Sequence, residues 1–328
     1  MHNTEGGSLE KTLGKWLWEY SIYPVDKKQR ELTESILLPN QELIAQELLR
    51  IREDIDAKIK RLLRKQKHRT LAHHRYDPSI ADPASYPKGY CTLIRDGVWN
   101  DLLDNLGNPT MPGIRTLRRF TKKGGVIKRI SGIQRGIFFQ NAIQAGSLYV
   151  DVANDTVDVS KPPIEVCSLA ESEFENVDDL ELCGDVLESY WQHAVFPNNF
   201  FPNIAPFYPI VTVAPDGTLE FPSLNRSIMA MNVLSEFQPA EDFLFRSRFS
   251  DAELPPEYHN LIEKHFHQDG SSIATFFKGG ASPEVLAGIF ANLRKPGGKE
   301  SLLGLIDEAD DVVGKLNILE LRCRAWSG

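Results

Sequence analysis

Cysteine is scarce in this chain: four residues in 328, Cys91, Cys167, Cys183 and Cys323, far apart and without a Cys-x-x-Cys pair. That excludes a disulfide scaffold and the common structural zinc frameworks. An uninterrupted membrane-length apolar run is also missing. The uncharged stretch 192–215 is broken by Pro197, Pro202, Pro206 and Pro209, so it cannot form a spanning helix. The opening Met-His-Asn-Thr-Glu-Gly-Gly-Ser has no basic and apolar leader pattern, and a reducing cytoplasm is the expected compartment. The turn Pro296-Gly297-Gly298-Lys299-Glu300-Ser301 falls short of a phosphate loop, because GxxxxGK[ST] needs glycine at Leu293 and a hydroxyl residue at Glu300. His265-Phe266-His267-Gln268-Asp269 offers HxH and HxD, but no later histidine completes a facial triad and Ser271 stands where a cupin has Glu. No motif asks for a cofactor, and no metal ligand set stands out.

What remains is an ordinary globular composition, 41% hydrophobic and 25% charged, with a net charge of −8. The acidic balance argues against nucleic acid as a partner of the surface as a whole, and no membrane partner is expected. The length exceeds one usual core. Three regions are expected: an N-terminal helical arm over 1–75, an α+β core over 76–222, and a mainly helical C-terminal region over 223–328.

Along the chain, Leu13 to Tyr20 reads as a short aromatic helix. Asn40 is placed to cap a long helix from 41 to about 69, with Ile44, Leu48, Ile51, Ile55, Ile59 and Leu62 on one face. A Pro-containing linker over 71–88 follows, with His68, His73 and His74 at its entrance. Eight Lys or Arg between Arg115 and Arg135 read as a basic strand pair about a Gly-Gly turn, able to gather a phosphate, a carboxylate or a nucleic-acid strand. A charged outer sheet face is the plainer reading. Later, 177–194 reads as a helix, 210–221 as a hairpin about Asp216-Gly217, and 227–237, 256–267, 283–293 and 299–324 as helices.

The chemistry concentrates between Tyr86 and Asp158. Pro87 and Gly89 lead into Cys91, from which Leu93, Ile94, Val98, Trp99, Leu102, Leu103 and Leu106 trace an apolar helical face closed by Gly107. Unpaired amides and the positive end of the dipole at a helix start favour a thiolate, the nucleophilic form. The plainer reading of Cys91 is a small buried hydrophobe. Two strands, 136–144 and 147–152, then flank a turn at Ala145-Gly146. A two-residue turn sets Gln140 opposite Asp151, and a three-residue loop sets Phe139 there instead.

This layout resembles the transglutaminase-like branch of the papain-like cysteine fold. There, Pro-x-Gly-x-Cys heads a helix, followed about fifty residues on by a strand with a His and an antiparallel strand with an Asp. A hairpin like HAWLE and an apolar run ending in Asp corresponds here to QNAIQAGSLYVDVAND. The resemblance covers roughly a fifth of the chain and implies an α+β papain/transglutaminase-like core, a Cys-bearing helix followed by an antiparallel sheet. It matches Cys91 and Asp151 to the family's Cys and Asp, and sets Gln140 at its His position. An amide cannot accept a proton near neutral pH, so the triad is broken as written.

Three readings follow. Thiol-dependent acyl transfer or amide cleavage on a small-molecule, peptide-like or amine substrate would use Cys91, Gln140 and Asp151, with His193 as a replacement base. Arg115, Arg118, Arg119, Arg135, Asn141 and Trp191 would hold the substrate. A degenerate member of the same fold would instead bind a partner, a protein among the candidates, through the 115–135 strip and the 196–208 surface. A metal-dependent sugar-nucleotide transferase would use Asp151 and Asp155 to hold a divalent ion on diphosphate, at a spacing of four rather than the usual two.

Overall fold

A computed structural model describes residues 9–65, 85–108, 110–222, 226–269, 281–295, 302–318, 321 and 323. His68, His73, His74 and the 296–301 turn lie outside them, as do the side chains of 265–269. The protein is α+β, and no described helix is long and apolar enough to cross a membrane. Two compact units emerge: Glu19–Asn176, and Met1–Trp18 with Val177–Gly328.

Helix α1 (Leu9–Tyr20) precedes α2 (Lys27–Leu32), which Asp26 caps by accepting from the Gln29 amide at 2.7 Å. A π turn and a 3₁₀ turn then lead into the long helix α3 (Gln41–Lys65). Asn40 does not cap it as expected. Helical backbone already precedes Asn40, and its side chain donates back to the Ile36 carbonyl at 2.9 Å. Nor is α3 an arm. Its stripe of Ile44, Leu48, Ile51, Ile55 and Ile59 shares a core with α4 (Cys91–Asn105), α5 (Pro112–Lys122) and the sheet, so the expected breaks at 75 and 222 do not follow the packing.

Helix α5 corrects the basic strand pair. Pro112 suits the first helical turn, and Ile114, Leu117 and Phe120 recur at three-residue steps, a helical period that buries all three. Only after Gly124 and Gly125 does a strand begin. Gly113 lies against α3, where a Cβ would stand 2.8 Å from the Leu43 carbonyl oxygen, and the buried Glu47 carboxylate accepts from the Ile114 amide at 2.8 Å. The α5 start is thus capped from another helix.

The antiparallel sheet of this unit runs β4-β3-β2-β1-β5, with β1 Ile127–Gln134, β2 Phe138–Ala145, β3 Leu148–Asp151, β4 Glu165–Ser168 and β5 Phe174–Glu175. One face, through Ile143, Ala145, Leu148 and Val150, packs on the helices; the other, through Ile130, Ala142 and Tyr149, packs on Phe174.

In the second unit, β6 (Ala194–Pro197), β7 (Ile210–Val213) and β8 (Leu219–Glu220) form a small sheet, and the Leu219 amide donates to the Leu321 carbonyl at 2.7 Å. Helices α6 (Leu180–Trp191), α7 (Arg226–Leu234), α8 (Gln238–Arg246), α9 (Pro256–Asp269), α10 (Pro283–Leu293) and α11 (Leu302–Ile318) complete it. The aromatic run expected as a surface is core instead: Phe196, Phe200, Phe201, Phe207 and Tyr208 are all buried, and Phe201 meets Phe221 edge to face.

Arg52 ties α3 to the turn after β3. It is 1% exposed, pairs both oxygens of Asp155 at 3.0 and 3.1 Å, and also reaches Asp56 and the Val152 carbonyl. Burial alone would lower this guanidinium's pKa, but Asp155 and Asp56 hold it above its ordinary value. Removing one partner of a buried pair strands the other charge, so Arg52→Ala should cost about 3–5 kcal/mol in urea unfolding. A loss below about 1 kcal/mol, the level of an exposed pair, would refute this anchoring role.

Candidate functional site

The Cys91 site begins with the turn before α4. Gly89 sits at φ +78, in the left-handed region that glycine tolerates, and its amide donates to the Thr156 carbonyl at 3.0 Å. Tyr90 is buried, and Cys91, half-buried, opens α4 with its thiol toward β2. Two side chains meet it: the Thr92 hydroxyl at 4.0 Å, and Asn141, whose Nδ2 donates to Cys91 Sγ at 3.4 Å and to Thr92 Oγ1 at 3.1 Å.

Behind Asn141 runs a directional set of hydrogen bonds. Arg95, one turn along α4 from Cys91 and buried, donates from Nη1 to Ser131 Oγ at 3.2 Å; Ser131 donates to Asn141 Oδ1 at 2.6 Å. Each group donates to the next, ending on the sulfur and the threonine hydroxyl, an arrangement in which successive bonds polarise one another. Arg95 also donates to Asp96 at 2.8 Å and lies over the Tyr20 ring, and its burial lowers its pKa. Asp96 Oδ1 accepts from Arg129 as well, at 3.0 Å.

Gln140 and Asp151 come together, but elsewhere. Ile143 pairs with Val150 and Ala145 with Leu148, so the turn is Gly146-Ser147 rather than Ala145-Gly146. Gly146 at φ +60 fits the first central position of a type II′ turn. The pairing expected from a two-residue Ala145-Gly146 turn is therefore shifted, and Gln140 reaches Asp151 diagonally, donating from Nε2 to Oδ2 at 2.7 Å. Strand alternation puts Gln140 with Ala142 and Asn141 with Ile143, on opposite faces. Cys91 thus faces Asn141, and the Gln140–Asp151 pair faces away from it.

Asp151 is wholly buried. Its carboxylate accepts from Gln140, from the Tyr149 hydroxyl at 3.2 Å and from the Ala153 amide at 2.7 Å. Burial pushes its pKa up to about 7, against the lowering effect of the Ala153 and Tyr149 donors, with Glu165 and Asp155 adding to the rise. Asp155 is engaged by Arg52, and among the described residues no three His, Cys, Asp or Glu side chains are grouped to hold a metal.

The other expected site residues lie on other elements. Arg115, Arg118 and Arg119 lie exposed on α5, and Arg135 is exposed in the β1–β2 turn. His193 and Trp191 belong to the second unit, where His193 is 2% exposed with its ring 5.7 Å from that of Trp191. Arg95, Thr92 and Ser131 were not singled out in the sequence. Arg95 carried a signal nonetheless, as a charge four residues after Cys91 and next to the apolar Ile94.

Compared with known proteins, the chain matches no family model, no curated protein and no solved structure.

The raised Asp151 pKa has a thermodynamic consequence. The folded state holds the proton more tightly than the unfolded chain, so the stabilisation is full below the ordinary value of 3.8 and is lost as pH rises toward about 7. Unfolding free energies of the protein and of Asp151→Asn should therefore diverge in the variant's favour between these limits, by on the order of a few kcal/mol. Parallel curves from pH 4 to pH 8 would mean that Asp151 is ionised in the fold.

Proposed function

We propose that this chain is a binding module built on a transglutaminase-like helix-and-sheet scaffold whose thiol position does not turn over substrate. One observation carries the reading: the side chains meeting Cys91 are Asn141, an amide that donates to the sulfur, and the Thr92 hydroxyl, and neither is a base near neutral pH. Acyl transfer would need a group to take the thiol proton and pass it to the leaving amine. The acid one turn along α4, Asp96, already accepts from both Arg95 and Arg129. The Arg95–Ser131–Asn141 bonds then act as a latch, fixing the start of α4 on β1 and β2.

The sugar-nucleotide reading has less support. Asp155 is held by both of its oxygens and Asp151 is enclosed by three donors, which leaves neither carboxylate open to a divalent ion on diphosphate.

The test is a panel of chromogenic ester, amide and amine-acceptor substrates, run with the protein and with Cys91→Ala. The two should release product at the same rate as buffer. Multiple turnovers that vanish in Cys91→Ala would overturn the binding-module reading.

A further inference from the structure

Charge is unevenly distributed along this chain. Of its 45 acidic residues none lies between Asp104 and Asp151, a span that holds eight Lys or Arg. The fold accounts for three of the eight. Lys128 is buried with its amine on the Ser21 carbonyl, Arg129 pairs with Asp96 and Glu19, and Arg135 sits in the β1–β2 turn, beyond the end of β1 farther from α5. The other five, Arg115, Arg118, Arg119, Lys122 and Lys123, are exposed on α5 and its end, and among the described residues none pairs with a carboxylate. A sixth cation joins them: Lys28, also exposed, has its amine packed so closely on Gly124 that a Cβ there would clash with it.

We propose that the outer face of α5 is a docking surface for an acidic polypeptide segment of a partner protein. Arg118 and Arg119 stand three and four residues after Arg115 and four and three before Lys122, so the four form one broad line along about 10 Å of helix axis. Carboxylates at the same steps on an acidic helix, or on alternate residues of an extended segment, meet that line. Three of the four are arginines, whose planar forks bind carboxylates through two parallel hydrogen bonds. Two observations favour a polypeptide over a nucleic acid. The exposed side chains of α5 include no aromatic ring on which a base could stack. The net charge of −8 opposes a long polyanion, whereas a short segment feels the local field within a screening length of about 8 Å. The Glu47 carboxylate already occupies the start of α5, so an acidic segment would meet the side-chain cations rather than open helix amides.

The inference rests on the binding-module reading and names its partner class. The experiment is fluorescence anisotropy on the full chain, with a labelled helical peptide carrying Glu at i, i+3, i+4 and i+7. A matching Gln peptide and labelled single- and double-stranded oligonucleotides run beside it. The Glu peptide should bind and weaken as salt rises, and the Gln peptide should not bind. Arg118→Glu with Arg119→Glu should lower affinity by about tenfold or more, and Arg61→Glu, exposed at the end of α3 opposite to the one that meets α5, should leave it within about twofold. If the double variant loses its circular-dichroism signal, Arg118→Gln and Arg119→Gln are read singly for a smaller loss of the same sign. The proposal is overturned if the Glu peptide fails to bind at low salt, if the α5 variants leave its affinity unchanged, or if an oligonucleotide binds more tightly through the same residues. Peptide binding together with Cys91-dependent turnover would remove the binding-module reading and leave this surface standing; no peptide binding without turnover would do the reverse.

Discussion

A guanidinium taken out of water must find its partners inside the protein, and in the Glu19–Asn176 unit Arg52 finds four acceptor atoms on three residues. Two of these partners, Asp155 and the Val152 carbonyl, lie just past the end of β3, and the third, Asp56, is one turn along α3. The Tyr86 hydroxyl donates to the same Asp56, bringing the approach to α4 into the same network. Helix, strand end and cysteine turn are therefore held through one buried charge. The enclosure of Asp151 and the position of Cys91 both depend on where that charge puts the chain.

The hairpin shows how a register can be misjudged and still keep its faces. With Ala145-Gly146 as the turn, Ile143 would stand opposite Leu148; it stands opposite Val150, a slide of two residues. Side chains alternate with a period of two, so such a slide preserves the face of every residue. Gln140 and Asp151 therefore still meet, although diagonally. What could not be read was which face looks at the thiol. Gln140 and Asn141 are adjacent and both polar, and β2 is largely buried on both faces, so no contrast of apolar and polar residues marks the side the helix covers.

Elsewhere the legible and illegible parts divide on similar grounds. The stripe of α3 and the Asp216-Gly217 hairpin were plain because periodicity and turn chemistry agreed. Helix α5 was hidden by Gly124-Gly125, a strong turn signal that drew attention from the three-residue recurrence of Ile114, Leu117 and Phe120. The aromatic run ending at Tyr208 looked like a surface because prolines interrupt it. Its backbone is satisfied from within: Asn198 donates to the Tyr208 carbonyl and accepts from the Phe201 amide, so an irregular segment can lie in the core. Arg52 and Glu47, charges beside the apolar stripe of α3, were the sequence's clearest unexplained signs of a buried network.

The separation in sequence of these tying contacts bears on how the chain acquires its structure. Glu47 caps a helix 67 residues away, Arg52 holds a carboxylate 103 residues away, and Gln144 bonds the Tyr23 carbonyl across 121 residues. During synthesis α3 therefore leaves the ribosome with its apolar stripe and two charges uncovered; α4 and α5 bring partners for the stripe and for Glu47 once residues near 122 emerge, and Arg52 waits for residues near 155. Loops of this length must close before any of these contacts forms, which places the unit among slow, high-contact-order folders and makes its early helix the part most exposed to unwanted association in a nascent chain.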